Sequence, residues 1–188
     1  LLKLLVVGSK GQLGRDCVAG LGTEYEVIGL DLPEFDFTDE AKVRRSVRSI
    51  RPDVILNCAG FTLVDDCEKE RDIARSANAL GPLHLARAAR QAGSLLIQIS
   101  TDYVFDGARP LPEPYLETDE PHPLSWYGET KLEGEKAVSD NAERFIILRT
   151  ARLYGRHGRN FPKRILHLAL RNPGHALRVV NDQYGSPT

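Results

Sequence analysis

A short apolar run, a glycine-rich loop and an amphipathic stretch follow one another near the start of this sequence. The run Lys3–Val7 has the length and composition of a buried strand, and glycines at positions 8, 11 and 14 follow it directly. Glycines at this spacing allow a tight turn and a close backbone approach to a pyrophosphate, which the amino terminus of the next helix stabilises. The order strand, glycine loop, helix therefore predicts a dinucleotide-binding unit. For the glycine pattern alone, the alternative is an ordinary glycine-rich turn.

Apolar runs and amphipathic stretches keep alternating along the rest of the chain. Further strands are predicted at Tyr25–Leu30, Val54–Cys58, Leu95–Ile99, Phe145–Arg149 and Leu177–Val180, with helical stretches between them. Thr38 is expected to cap the second helix, and Asn160 the last one. Pro82 is expected to kink or break the stretch 72–92, and the five prolines between 109 and 123 predict an ordered loop or lid. This alternation predicts an α/β fold, a Rossmann-like, doubly wound parallel sheet covered on both faces.

Composition narrows the classes of partner. The 188 residues are 41% hydrophobic and 27% charged with a net charge of −1, as in an ordinary soluble domain without a basic stripe. Nucleic acid and membranes are therefore not expected as partners, and no apolar run approaches the roughly 20 residues of a membrane span. The three cysteines lack C-x-x-C spacing, which fits reduced thiols in the cytoplasm, and the five histidines are too scattered to predict a metal site.

A tyrosine and a lysine stand four residues apart, Tyr127 and Lys131, where a predicted helix opens. Residues at this spacing share a helix face, so the ammonium would favour the phenolate and lower the pKa of Tyr127 from about 10. Thr101, at the carboxyl end of the fourth strand, would donate a hydrogen bond to a carbonyl oxygen that becomes an alkoxide. These three residues are the predicted catalytic groups. The alternatives are two partly exposed residues on a polar helix face and a hydroxyl bonded to its own turn.

Two residues give opposite indications about the cofactor. Asp31 ends the second predicted strand, where an acid usually accepts hydrogen bonds from the adenosine ribose, and this favours NADH. Lys10 lies inside the glycine loop and could meet a 2′-phosphate, which favours NADPH, or it is simply a solvated surface lysine. The sequence leaves the preference between NADPH and NADH open.

Several segments together resemble a known family. They are the glycine loop, Asn57-Cys58-Ala59-Gly60, Ser-Thr-Asp-Tyr-Val-Phe-Asp-Gly at 100–107, Tyr127-x-x-x-Lys131, Arg149-Thr150 and Asn-Asp-Gln-Tyr-Gly-Ser-Pro-Thr at 181–188. With them the chain resembles the dTDP-4-dehydrorhamnose reductases, which are extended short-chain dehydrogenases/reductases, over essentially its whole length. The resemblance implies reduction of the C4 ketone of dTDP-6-deoxy-L-lyxo-4-hexulose (dTDP-4-dehydro-L-rhamnose) to dTDP-L-rhamnose with NAD(P)H.

The resemblance also implies roles for single residues. Thr101 would polarise the ketone, Tyr127 would protonate the nascent oxyanion, and Lys131 would tune Tyr127 while holding the nicotinamide ribose. The implied cofactor residues are Gly8, Gly11, Gln12 and Leu13 at the pyrophosphate, Asp36 and Phe37 beside the adenine, and Ala59, Gly60, Phe61 and Thr62 after the third strand. The implied substrate residues are Asp102 and Tyr103, with Arg152 in a place where the family often has tryptophan.

Domain organisation and alternatives complete the interpretation. Residues 1–188 are expected to form the NAD(P)-binding domain, with the start of a nucleotide-sugar lobe at about 150–188 and the rest of that lobe missing. Another nucleotide-sugar reductase or epimerase would use the same Tyr–Lys chemistry. The third interpretation is a non-catalytic subunit that resembles the regulatory β-subunit of methionine adenosyltransferase. Whether the protein forms a homodimer is left open by the sequence.

Overall fold

Five parallel strands form one sheet in the computed structural model, which describes residues 1–188. The strands are β1 (Lys3–Val7), β2 (Glu26–Leu30), β3 (Val54–Asn57), β4 (Leu95–Thr101) and β5 (Phe145–Thr150), in the spatial order β2-β1-β3-β4-β5. The winding direction reverses between β1 and β3, so a crevice opens outside the carboxyl ends of these strands. The predicted Rossmann-like, doubly wound sheet is confirmed.

Helices cover both faces of the sheet. They are α1 (Gln12–Leu21), α2 (Glu40–Ile50), α3 (Val64–Lys69), α4 (Arg71–Arg75), α5 (Gly81–Ala92), α6 (Trp126–Asn141) and α7 (Phe161–Arg171). From β1 to β2 the chain moves one way across the sheet, and in every later crossover it moves the opposite way. Because the crossovers are right-handed, α1 lies on one face of the sheet, and α2, α5 and α6 lie side by side on the other. None of the helices combines the length and the hydropathy of a membrane-spanning segment.

The main core lies between the sheet and the α2–α5–α6 layer. Leu5, Ile55 and Leu96 from three neighbouring strands meet Val47 of α2 and Leu85 of α5, and all five are almost completely buried. Strands covered on both faces must be apolar on both faces, which is why β1 and β3 are continuous apolar runs rather than alternating ones. The core therefore fixes the positions of the strand ends that carry the site.

Two sequence expectations about element ends were wrong. Residues 177–180 form no strand, since none of them pairs with a ladder partner and only Leu177 is half-buried. Asp39, not Thr38, caps α2 by accepting from the Lys42 amide at 2.9 Å. The Thr38 hydroxyl is already used, because it donates to the carboxylate of Asp36 at 2.7 Å.

The stretch 72–92 is divided, as expected, although the irregular turn precedes Pro82. α4 runs into a π-helical turn, Ser76–Leu80, and α5 follows with Pro82 in its first turn, where a missing amide donor costs little. Gly93 ends α5 in a left-handed conformation, as its place in the sequence predicts. Wide turns of this kind often lie at functional sites, and this one faces the start of α6.

Candidate active site

Tyr127 is held at the mouth of the crevice by the first turn of α6. Ser125 caps this helix by accepting from the Gly128 amide at 3.1 Å. Gly128 lies against the Tyr103 carbonyl so closely that a Cβ there would collide with it. The glycine therefore lets α6 begin directly beside the turn that follows β4. The Tyr127 ring packs edge-on against Tyr103, with centroids 5.6 Å apart.

Thr101 ends β4 next to Tyr127. Its side-chain oxygen accepts from the Tyr103 amide and donates to the Asp102 carboxylate, both at 3.2 Å, and only 5% of the residue is exposed. The hydroxyl also lies close enough to Tyr127 to act on the pKa of its phenol. The local-turn role considered from the sequence is thus present, and it leaves the hydroxyl beside the tyrosine.

Lys131 lies one helical turn below Tyr127, buried between β4 and the segment after β3. Its ammonium donates to the Ile99 carbonyl at 2.6 Å and comes within 4.0 Å of the position a Cβ of Gly60 would take. Burial lowers the pKa of Lys131 to about 8, and the Glu135 carboxylate opposes this shift. The structure therefore brings Thr101, Tyr127 and Lys131 together at one strand end.

The expected lowering of the Tyr127 pKa was wrong in sign. Burial raises the pKa of Tyr127 to about 12, and the hydrogen bond with Thr101 opposes this only in part. The phenol is largely removed from water, and desolvation penalises the phenolate more than its surroundings stabilise it. Tyr127 is consequently a fully protonated acid at neutral pH, which suits donation of a proton rather than its removal.

The glycine loop packs tightly against α1 and the segment after β3. Gly8 has a φ of +78°, and a Cβ there would lie 2.7 Å from the Ala59 amide. A Cβ on Gly14 would collide with the Gly8 carbonyl, so α1 and the loop need both glycines. No side chain caps α1 at Gly11, so its first amides have no side-chain partner. This arrangement fits a dinucleotide phosphate at a helix amino terminus.

Asp31 and Lys10 lie together at the end of β2. The Asp31 carboxylate accepts from the amides of Lys10 and Leu32, both at 2.7 Å. The Lys10 ammonium donates to the Leu32 carbonyl and to the Glu34 carboxylate, both at 2.8 Å. Asp31 and Lys10, which give opposite indications about the cofactor, are therefore in direct contact, and Glu34 forms an ion pair with Lys10.

The segment after β3 crosses the crevice and is fixed by a buried asparagine. Asn78, on the π-helical turn, accepts from the Phe61 amide at 2.9 Å and donates to the Phe61 carbonyl at 3.0 Å. Its amide nitrogen also donates to the Thr130 hydroxyl of α6. Ala59 and Gly60 lie beside Gly8 and Lys131, while Thr62 is exposed. Asn78 thereby connects the crossing segment to the helix of Tyr127 and Lys131.

Some expected cofactor residues turn their side chains elsewhere. Phe37 packs in the core against Gly81, and the Oδ1 of Asp36 accepts two hydrogen bonds from Thr38 while its Oδ2 has no partner, so their place beside an adenine stays a prediction. The Gln12 amide donates to the Leu153 carbonyl at 2.9 Å, and the half-buried Leu13 follows it in the first turn of α1. At Gln12 and Leu13 the backbone of α1 remains available to a phosphate.

The expected substrate residues lie just after two neighbouring strands, Asp102 and Tyr103 after β4 and Arg152 after β5. Asp102 is half-buried, and burial raises its pKa although the Thr101 hydroxyl and the Arg152 guanidinium both oppose the shift. Tyr103 is 45% exposed beside Tyr127. Arg152 adopts a φ of +44°, a strained conformation for a side chain of this size. Tyr103 thus lies beside Tyr127, and the Arg152 guanidinium lies near enough to the Asp102 carboxylate to oppose the rise of its pKa.

The sequence also matches known proteins. Residues 2–188 match the family described as RmlD substrate binding domain. The chain belongs to this family. A dTDP-4-dehydrorhamnose reductase of Salmonella typhimurium is 41% identical over 191 residues, which cover 100% of this chain.

Solved structures of the same family agree in fold. A dTDP-4-dehydrorhamnose reductase of Clostridium acetobutylicum is 45% identical with a TM-score of 0.94, over 100% of this chain and 65% of its own. A dTDP-4-dehydrorhamnose reductase of Bacillus anthracis in complex with NADP is 39% identical with a TM-score of 0.88, over 91% and 60%. The chain spans 62% of the length of the Salmonella relative, so it corresponds to part of that protein.

Sequence reasoning missed three groups that organise this family member's site. Asn78 was missed; the available signal is an asparagine in the Ala- and Leu-rich run 77–80, directly before Gly81-Pro82. The Arg149–Glu135 ion pair, with N and O 2.7 Å apart, lies beneath the site, and Ser100 donates to the same carboxylate. Glu135 follows Lys131 by one helical turn, which places it on the same face. Glu34 could be found only from its contact with Lys10.

Proposed function

We propose that this chain carries out the NAD(P)H-dependent reduction of the C4 ketone of dTDP-4-dehydro-L-rhamnose to dTDP-L-rhamnose. The observation that carries the proposal is the buried, protonated phenol of Tyr127 beside the Thr101 hydroxyl, at the mouth of a crevice whose glycine loop fits a dinucleotide. Membership of the RmlD family and the names of its relatives support the choice of substrate.

Each residue has a part in the proposed reaction. A nicotinamide cofactor held in the crevice would supply the hydride that C4 of the sugar accepts. Tyr127 donates its phenolic proton to the O4 oxygen as negative charge develops there, and Thr101 donates a hydrogen bond to the same oxygen. Lys131 holds the nicotinamide ribose and stabilises the phenolate that remains, which then regains a proton from solvent. Asp102, Tyr103 and Arg152 bind the sugar nucleotide.

An assay of NAD(P)H oxidation tests the proposal. The chain is mixed with NADPH or NADH and dTDP-4-dehydro-L-rhamnose, with a UDP-linked 4-keto sugar in a parallel reaction. Loss of absorbance with the dTDP sugar, and formation of one dTDP-L-rhamnose per NAD(P)H, supports the proposal. Turnover only of the other sugar would indicate a related reductase. No turnover with either, despite cofactor binding, would favour a regulatory subunit.

The contacts at the end of β2 predict a variant with altered cofactor preference. In Glu34→Gln, the Lys10 ammonium loses its carboxylate partner and becomes available to a 2′-phosphate. We expect NADPH to bind a few-fold more tightly while NADH affinity is unchanged, as measured by fluorescence titration. Glu26→Gln is the matched control, because it removes an exposed partner of Lys3 at the other end of the same strand. Equal changes for both cofactors would contradict this role of Glu34.

The lowered pKa of Lys131 predicts a pH dependence. With a pKa of about 8, the ammonium is charged below that pH and neutral above it. Tyr127, whose pKa is about 12, stays protonated throughout this range. The rate of reduction at saturating substrates is therefore expected to be constant near pH 6–7 and to fall above about pH 8. A profile that stays flat to pH 9.5 would contradict the role given to Lys131.

The partner and the location belong to the same proposal. The proposed binding partner is the nucleotide-sugar substrate. The proposed reaction is compatible with a homodimer. The three cysteines are free, which fits the cytoplasm as the place of action.

A further inference from the structure

A basic cavity lies between α2 and α5, away from the candidate active site. Its volume is about 690 Å³, and it is lined by Gln91 of α5 and by four arginines of α2 and its C-cap: Arg44, Arg45, Arg48 and Arg51. The carboxyl ends of α2 and α5 lead into the amino ends of β3 and β4. The cavity therefore lies toward the edge of the sheet opposite the crevice that holds Thr101 and Tyr127.

The arginines around this cavity are concentrated without counter-charges. Arg44 and Arg48 are spaced i, i+4, while Arg45, Arg48 and Arg51 are spaced i, i+3, so like charges lie on neighbouring turns and repel one another. Glu40 is the one acid of α2, and it pairs with Arg87 at 3.2 Å; α5 contains no acid. The nearby Asp53 carboxylate accepts from the Lys3 amide at 2.7 Å. None of the four arginines forms a salt bridge.

The helix dipole accounts for only part of this cluster. Cations near a helix carboxyl terminus are favoured, which suits Arg48 and Arg51 at the end of α2. The effect fades beyond the last turn, so it does not explain Arg44 and Arg45. In a chain with a net charge of −1, four arginines within eight residues form a strong local positive field. A local rule broken without a compensating contact points to a ligand.

We propose that this cavity binds a small anion that carries two or more phosphate groups. Guanidinium groups match phosphate oxygens with paired hydrogen bonds, and several of them can divide two or three phosphates between them. The volume lies within the range of about 300–1,000 Å³ found for small-ligand sites. The buried side chains of Val47 and Ala88 supply an apolar floor, and the Gln91 amide supplies a neutral donor. Anion binding here does not depend on the proposed reductase activity.

Titration calorimetry with sodium tripolyphosphate tests the site, using the whole chain saturated with NADPH so that the glycine loop is occupied. We expect one equivalent to bind with a micromolar Kd. Arg44→Ala/Arg48→Ala should weaken binding at least ten-fold. Arg164→Ala/Arg171→Ala is the matched control, because it removes two exposed arginines from another helix, and it should leave the Kd within two-fold.

Several results would overturn the proposal. One is no binding by the unaltered chain, and another is an equal loss in both double variants, which would indicate general charge attraction. Orthophosphate binding as tightly as tripolyphosphate would also overturn it. Displacement by a short DNA duplex at a lower phosphate concentration would assign the arginines to nucleic acid. Unchanged binding in Arg44→Ala/Arg48→Ala would place the anion elsewhere.

Discussion

Tyr127→Phe is expected to lower the turnover number for ketone reduction by about 10²–10⁴-fold, the usual contribution of a positioned general acid. The variant removes one oxygen and keeps the ring that packs edge-on against Tyr103, so α6 and the crevice should be unchanged. NADPH affinity should therefore stay within about two-fold, because the glycine loop and Lys131 are intact. Stopped-flow absorbance with NADPH and the 4-keto sugar nucleotide measures the rate, and fluorescence titration measures the affinity.

Tyr25→Phe is the control for this experiment. Tyr25 lies just before β2, far along the chain from Tyr127, and it loses the same hydroxyl group. Its turnover should equal that of the unaltered chain. A Tyr127→Phe enzyme with at least half of the original turnover would show that another group protonates O4.

Arg149→Gln is expected to destabilise the fold by about 3–5 kcal/mol, the cost of leaving a buried carboxylate without its partner. Glu135 is only 5% exposed, and its carboxylate accepts hydrogen bonds from both Arg149 and Ser100. The Arg149 guanidinium also lies over the Phe105 ring. The substitution removes this packing contact, which adds to the loss of stability. The free energy of unfolding is measured by urea titration with constant slope.

A double variant separates the charge from the packing. Glu135→Gln/Arg149→Gln removes both charges, so it should be more stable than Arg149→Gln alone although it carries one more substitution. Arg75→Gln is the matched control, because Arg75 also pairs with a glutamate of α6, Glu133, but at the exposed surface. The urea concentration at the midpoint of unfolding should be nearly unchanged in this variant. A double variant no more stable than Arg149→Gln would show that an uncompensated charge is not what destabilises Arg149→Gln.

Local patterns predict the parts of the site that depend on nearby residues. The glycine loop directly follows β1, and Tyr127 and Lys131 share one helix face, so spacing together with the order of the elements identifies both. Thr101 is predicted at a strand end for the same reason, since apolar runs mark the strands. These features need no knowledge of the tertiary fold.

The features that sequence reasoning missed are tertiary. Asn78 acts through Phe61 and Thr130, which are 17 and 52 residues away in the chain. The raised pKa of Tyr127 comes from burial by distant segments, so the lysine four residues away gave the wrong sign. Residues 177–180 have strand-like composition but no partner strand, and composition alone does not supply one.

The proposed function depends on Thr101, Tyr127 and Lys131 acting together on a ketone beside a bound nicotinamide. A crystal structure of the chain with NADPH and a substrate analogue tests this most directly. We expect the pyrophosphate at the amino terminus of α1 and the Lys131 ammonium at the nicotinamide ribose. We also expect the Tyr127 hydroxyl on the open side of the nicotinamide ring, within about 2.6–3.2 Å of the O4 oxygen of the sugar. A nicotinamide bound elsewhere, or a Tyr127 hydroxyl directed away from it, would contradict the proposed reductase.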